Sequence, residues 1–500
     1  MASNSQHHIV MLPFMGQGHL IPFLALARKF QETAAFKLIT IASTPLNLQY
    51  LRSAIVAQGL EEQSSGIRLA ALPFNPTDHG LPPNGENTEA LALKDIGQLF
   101  TASTSLESPF RDLVSEITAE EGKPPVCIIS DIFMGWANRV AEWVGSVSVN
   151  FCTGGCYGYA AYVSFWVHLP HRSAKENDGE FAMPGFPEST RFHTSQLHPF
   201  MRAGNGSDSW SLFFRQNLAL SNSFGWLCNT VQEIEPTGFQ VLRNISKSPV
   251  WCIGPLLPPG MLKTSPVSGL IGRNSGREPG LSPEKCIEWL NKHPEGSVLY
   301  ISFGSQNTIS ASQMMALALG LEDSQKPFLW VIRPPIGFDI KGEFRPEWLP
   351  EGFEERMGKN QQGKVVHSWA PQLEILCHRS VGAFLSHCGW NSVMESLSQG
   401  IPLIGWPLAA EQGFNSKMLM EEMGVSVELC RGSQSSISRE EVKSVVDRVL
   451  DKEGKGKEMK NKAVQIKELI RSALKEDGAK GSSVRAMDDF VTTILGRTNV

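Results

Sequence analysis

The feature that most limits how this chain can fold is an alternation, run twice, of short apolar segments with amphipathic ones. In the first half "HIVMLPF", "FKLITIAS", "IRLAALPF", "VCIISD" and "VSVNF" have the length and composition of strands. Between them stand "HLIPFLALARKFQE", "NLQYLRSAIVA" and a helical region over roughly residues 89–118. Strands separated by helices pair in parallel, because the helix carries the chain back across the sheet, and both faces are then covered. A second series follows: "SVLYISF", "PFLWVIR", "KVVHSW", "VGAFLSH", "IPLIGW" and "VSVEL", with helix expected from about Ser438 onward. Five hundred residues exceed what one core serves, so two α/β domains of similar pattern are expected.

Two loose stretches interrupt the alternation. Residues 170–210 are rich in Pro, Gly, His and Ser and are expected to form surface loops and caps. "VWCIGPLLPPG" opens the second, which continues through "KTSPVSGLIGRNSGREPGLSP" with the composition of an interdomain linker. The expected units are residues 1–253, a linker at 254–281, residues 282–477, and a last segment at 478–500.

Composition narrows the function classes. A net charge of −5 offers no basic field for nucleic acid. The Lys-rich "DKEGKGKEMKNKAVQIKELI" mixes both signs and reads as a solvated helix face. No run reaches the ~18 apolar residues of a membrane span, and "MASNSQHHIVMLPFMG" lacks the pattern of a signal peptide. Nine scattered cysteines suit free thiols in a reducing compartment, so a cytoplasmic chain is expected.

In a doubly wound sheet the first and fourth strands are neighbours, and ligands bind at their carboxyl ends. In the first half those ends carry "MGQGHL" and "VCIISD", which brings His19 beside Asp131. A His held by an Asp is the pair general-base chemistry needs. The helix N-terminus disfavours protonation of His19, so a ring neutral at pH 7 is expected. The structural alternative is a His and an Asp that each cap a local turn. "GQGHL" begins like a dinucleotide fingerprint, but Ile21 stands where the third Gly is needed, and strand two ends without an acid.

In the second half the corresponding ends are "SFGSQNT" and "HCGWNS", which gather Gly304, Ser305, His387, Gly389, Asn391 and Ser392 at a helix start. Small residues and exposed backbone N–H groups there favour an anion such as a diphosphate. Glu395 lies one turn further on the face of Asn391 and Ser392, where it can accept from vicinal hydroxyls. Together these suggest a nucleotide. His387 and Cys388 are adjacent and lack partners at metal-ligand spacing, so no metal site is expected. Neither a G-x-S-x-G elbow nor a P-loop is present.

The span "WAPQLEILCHRSVGAFLSHCGWNSVMESLSQGIPLIGWPLAAEQ", Trp369 to Gln412, resembles without gaps the signature box of plant secondary-product UDP-glycosyltransferases. The likeness extends to "FMGQGHLIP", the Asp after the fourth strand, "YISFGS" and "LPEGFEER". It implies a GT-B fold, two Rossmann-like doubly wound domains facing a cleft. The acceptor binds to the first and the UDP-sugar to the second, and "GSSVRAMDDFVTTIL" returns to pack on the first.

The resemblance also implies roles. Trp369 would stack on uracil, with Ala370 binding the base through its backbone and Gln372 near the nucleoside. Ser305, His387, Asn391 and Ser392 would hold the diphosphate, and Glu395 the ribose. Trp390, Glu411 and Gln412 would surround the sugar. Glu411 stands where an Asp is more usual; Gln412 points to glucose, and the box offers no obvious Arg partner for a uronate. His19 would be the base and Asp131 its partner in an inverting displacement needing no metal or other cofactor.

For an apolar acceptor, such as a flavonoid, other phenolic or terpenoid, candidate pocket residues are Phe14, Met15, Phe133, Trp136, Phe151 and the helix "GYAAYVSFWVHL". Expected partners are the UDP-sugar and this small molecule, for a monomeric protein. Two other classes fit parts of the pattern: a UDP-sugar epimerase of the same architecture, and a non-catalytic UDP-sugar-binding protein.

Overall fold

The computed structural model describes residues 7–33, 35–56, 66–91, 93–174, 179–219, 223–262 and 280–497. Most of the expected linker, residues 263–279, lies outside them. Two parallel sheets organise the chain. The first contains β1 (His7–Leu12), β2 (Phe36–Ser43), β3 (Ile67–Ala71), β4 (Cys127–Asp131) and β5 (Val147–Cys152). After the antiparallel pair β6 (Glu180–Ala182) and β7 (Arg191–His193), it is completed by β8 (Gly225–Cys228) and β9 (Val250–Cys252). Its strand order is β3-β2-β1-β4-β5-β8-β9.

The second sheet comprises β10 (Val298–Ser302), β11 (Phe328–Ile332), β12 (Gly363–His367), β13 (Val381–Ser386), β14 (Leu403–Gly405) and β15 (Ser426–Glu428). Its order is β12-β11-β10-β13-β14-β15. In both sheets, then, strand one lies beside strand four. Register completes the alignment: Leu12 pairs with Ser130, and Ser302 with Ser386. Each sheet therefore ends in a crevice between two helix starts, as a doubly wound order requires. β10 and β13 are buried along their whole length, the mark of strands covered on both faces.

β8 and β9 correct the expected organisation. "VWC", at the head of the stretch read as loose, is the edge strand of the first sheet, and "GWLC" is a strand the alternation did not reveal. Strands of three and four residues leave too little period to recognise. Residues 170–210 are likewise more than surface. Phe181 and Phe192 pair across β6 and β7, and both are buried. Phe192 meets Phe414 of the second domain edge-on, at 5.6 Å between ring centroids, and the Arg431 guanidinium donates to Ser195 Oγ at 2.6 Å. The Pro and Gly residues make turns, and the rings between them join the two domains.

One face of the first sheet is covered by helix Gln17–Glu32 and by the last helix, Ser482–Arg497. Phe490 lies 5.7 Å from the Phe30 ring and 5.3 Å from that of Trp251. The Trp251 indole donates to Asp489 at 2.7 Å, and Ser483 Oγ to the Gly254 carbonyl at 2.7 Å. Burying a ring such as Phe490 contributes about 1.5–3 kcal/mol.

All nine cysteines are free thiols. Among the described residues, no helix is long and apolar enough to cross a membrane.

Candidate functional site

Gly16 ends the turn after β1, and the helix begins at Gln17, which makes His19 its third residue. A β-carbon at position 16 would lie 2.9 Å from Thr88 Oγ1, so this approach requires glycine. Asp131 closes β4 and is fully buried. One carboxylate oxygen accepts the Phe133 N–H at 3.1 Å and so caps the turn that follows. The other lies 2.6 Å from His19 Nδ1. Asp131 thus caps the turn and also holds the His19 ring. Its bond places the His19 proton on Nδ1 and leaves Nε2 free to accept one.

The protonation argument made from sequence needs correction. Burial lowers the His19 pKa, but the charge and hydrogen bond of Asp131, with the charge of Glu411, raise it above the ordinary value near 6.5. A buried carboxylate 2.6 Å away outweighs a helix end.

Across the cleft, helix Trp390–Ser398 starts at Gly389, a cap residue that offers no side chain to its first N–H groups. These are the donors a helix start offers to an anion. The turn before it is left-handed at Cys388, φ 62°, and its carbonyl is held by Asn415 at 3.0 Å. The His387 ring fits between two glycines: a β-carbon on Gly304 would lie 2.6 Å from it, and one on Gly389 2.5 Å. Its Nδ1 is buried with no hydrogen-bond partner among the described residues. Burial and the nearby Arg333 push its pKa down to about 4, so it meets a ligand as a neutral ring.

Arg333 was missed from the sequence. It donates to the carbonyls of Ser305 (2.6 Å), Asn307 (2.9 Å) and Gly304, and thereby fixes the loop after β10. The signal was available: it is a cation ending the apolar run "PFLWVIR".

Gln372 ties together three side chains at this end of the cavity. It donates to Glu395 at 2.6 Å and to Ser392 Oγ at 3.1 Å, and accepts from Tyr300 at 3.2 Å. Trp369 and Ala370 lie in the same wall of the cavity. Asn391 reaches over the cleft to the carbonyl of Gly18, at 3.2 Å, next to His19. The Trp390 indole N–H also crosses, to the Asn229 carbonyl at 2.8 Å, so much of this ring serves domain docking. Gln412 receives the N–H groups of Leu408 (3.0 Å) and Ala409 (2.8 Å) on its amide oxygen. Glu411 accepts from Asn415 at 3.3 Å, and burial raises its pKa.

One cavity of about 420 Å³ joins the two strand-end crevices, lined by His19 on one side and by Ser305, Trp369, His387, Asn391, Ser392, Glu395, Glu411 and Gln412 on the other. Phe14 and Phe133 line it, as does helix Cys156–His168 through Tyr159 and Tyr162. Met15, Trp136 and Phe151 are not in its walls. Met15 is in the core, Trp136 packs against Phe110, and Phe151 faces Phe23 under the other side of the sheet. The first-domain Phe and Tyr rings that sequence reasoning missed are Tyr50, Phe100, Phe200 and Phe214, from four separate helices. Among the described residues no group of three or more His, Cys, Asp or Glu side chains is placed to hold a metal ion.

Comparison with known proteins agrees with this geometry. Residues 261–467 match the model of the family described as UDP-glucoronosyl and UDP-glucosyl transferase. The chain is 42% identical to UDP-glycosyltransferase 92A1 of Arabidopsis thaliana, over 97% of its own length and 96% of the relative's. It is 40% identical to crocetin glucosyltransferase 3 of Crocus sativus, over 97% and 99%. Among solved structures, UGT73P12 of Glycyrrhiza uralensis, complexed with glycyrrhetinic acid 3-O-monoglucuronide, superposes with a TM-score of 0.81 at 25% identity, covering 99% of this chain and 98% of that one.

Proposed function

Since this chain belongs to the UDP-glycosyltransferase family and so transfers a sugar from a UDP-sugar, we propose that it glucosylates a hydroxyl of an apolar small molecule with His19 as general base. The observation that carries the proposal is the His19–Asp131 pair, 2.6 Å apart, whose His19 lines the same cavity as the open start of helix Trp390–Ser398 while Asp131 is buried behind it.

His19 Nε2 takes the proton of the acceptor hydroxyl as its oxygen attacks the anomeric carbon of UDP-α-glucose. The bond from that carbon to the diphosphate oxygen breaks. Asp131 stabilises the imidazolium, and the helix start with its neutral donors takes up the charge that develops on UDP. A single displacement inverts the anomeric centre and yields a β-glucoside. Gln412 supports glucose as donor, in keeping with the glucosyl name of the Crocus relative. The eight Phe and Tyr side chains that the first domain brings to the cavity, Phe14, Tyr50, Phe100, Phe133, Tyr159, Tyr162, Phe200 and Phe214, support an apolar acceptor.

The test is incubation with UDP-glucose and a panel of flavonoid, simple phenolic and terpenoid alcohols, followed by mass spectrometry. A hexose adduct with one UDP released per adduct is expected. Adducts formed only from another UDP-sugar would sink the glucose assignment. Turnover confined to sugars or other hydrophilic alcohols would sink the acceptor assignment.

A further inference from the structure

The first domain's part of the cavity has a continuous aromatic wall that starts at the base. Phe14 meets the His19 ring at 5.4 Å between centroids and stacks on Phe100 at 4.3 Å. Phe100 meets Phe214 at 4.7 Å, and Phe214 meets Phe200 at 6.3 Å. Phe200 has room because residue 97 is glycine: a β-carbon there would lie 3.2 Å from its ring. His198, two residues before Phe200, lines the cavity at this end of the wall. No Lys, Arg, Asp or Glu among the described residues of this domain lines it.

His198 Nδ1 accepts the Phe200 backbone N–H at 3.3 Å, capping the short helix Pro199–Ala203. Burial and the neighbouring Arg202 push its pKa down to about 4, so the ring is neutral at pH 7. A neutral imidazole that accepts at Nδ1 carries its proton on Nε2. No hydrogen bond from Nε2 to another described residue uses this proton.

We propose that the His198 Nε2–H selects the acceptor substrate, by donating to a neutral oxygen at the end of a flat aromatic molecule remote from the hydroxyl that receives the sugar. This deepens the acceptor reading above and rests on it. The oxygen is of carbonyl, phenol or ether type. Arg202 stands outside the cavity wall, so a carboxylate in that place would be desolvated with no cation of this domain lining the cavity to pair with it, which is costly. Rings along the wall fix the plane of the substrate, and one donor at its end fixes which hydroxyl reaches His19.

The experiment compares two substrates, a hydroxyflavanone and the matching hydroxyflavan that lacks the ring carbonyl, with UDP-glucose as donor. For the unaltered protein, kcat/KM is expected to favour the flavanone by about tenfold, the size of one neutral hydrogen bond. His198→Ala should abolish this preference by lowering only the flavanone value. His198→Asn keeps an oxygen to cap the Phe200 N–H but is too short to reach the substrate, and should abolish it equally. An unchanged KM for UDP-glucose reports an intact fold in each variant. A preference that survives in both variants, or is absent from the unaltered protein, overturns the proposal while leaving the acceptor reading in place. Failure of the unaltered protein on both flavonoids, with turnover of terpenoid alcohols, also overturns it. Failure on every apolar alcohol defeats the acceptor reading itself.

Discussion

On the side proposed for the UDP-sugar, the groups that would meet a diphosphate come largely from six consecutive residues, His387 to Ser392, at the end of β13 and the start of one helix. On the side proposed for the acceptor the lining Phe and Tyr rings are Phe14, Tyr50, Phe100, Phe133, Tyr159, Tyr162, Phe200 and Phe214, spread over two hundred positions. The sheets beneath them share one topology near the crevice. What differs is the physics of recognition. An anion is met by backbone dipoles, and a strand end followed by a helix supplies these locally. An apolar body is met by shape, which requires side chains converging from many directions.

Substitutions can press on this contrast. The largest effect is expected at His19, the group on that side for which we propose a chemical role. His19→Ala should lower kcat about a thousandfold while calorimetry finds UDP-glucose binding unchanged; near-normal turnover of an unactivated alcohol would remove His19 from the mechanism. Asp131→Asn should cost about a hundredfold and also move a pH limb. The reaction needs the neutral ring, so activity falls as pH drops through the raised His19 pKa, and the acid limb of kcat/KM lies above pH 6.5. Without the carboxylate that pKa falls, and the limb moves to lower pH; a limb that stays in place would assign it to another group.

On the donor side, Glu395→Ala should weaken UDP binding by roughly 10- to 100-fold, the value of hydrogen bonds to a charged group, with the acceptor KM unaltered. An equal rise in both constants would mean the two sites are not separable. The smallest kinetic effect is expected within the aromatic side itself. Phe100→Ala should raise the acceptor KM several-fold, whereas Trp136→Ala should leave it unchanged and instead lower stability by about 3–5 kcal/mol, read from denaturant midpoints. The reverse pattern would exchange their roles.

The same contrast decides how much could be read from the chain alone. His19 and Asp131 were legible because strand order, once inferred, brings two strand ends together whatever lies between them. Ser392 and Glu395 were legible because three residues span one helical turn. Phe151 was not: it is apolar and at a strand end like a pocket residue, but faces Phe23 beneath the sheet. Which face a strand residue takes depends on register, and in a sheet buried on both sides composition does not record it. Phe200 was hidden in a stretch whose Pro and Gly suggested surface, and its place also depends on the absence of a side chain at Gly97. The raised His19 pKa was invisible because it depends on a distance, 2.6 Å, that topology only bounds.

The last helix gives the first domain an unusual dependence on time. Phe490 and Ile494 cover a core built from Phe30, Phe36 and Trp251. A ribosome makes those residues hundreds of codons before the ones that shield them. During synthesis the first sheet therefore waits with part of this apolar face covered only by helix Gln17–Glu32 and the rest open while the whole second domain is made, the kind of surface on which nascent chains aggregate. Folding of the first domain cannot finish before translation of the second is complete, so neither half of the cleft is finished long before the other.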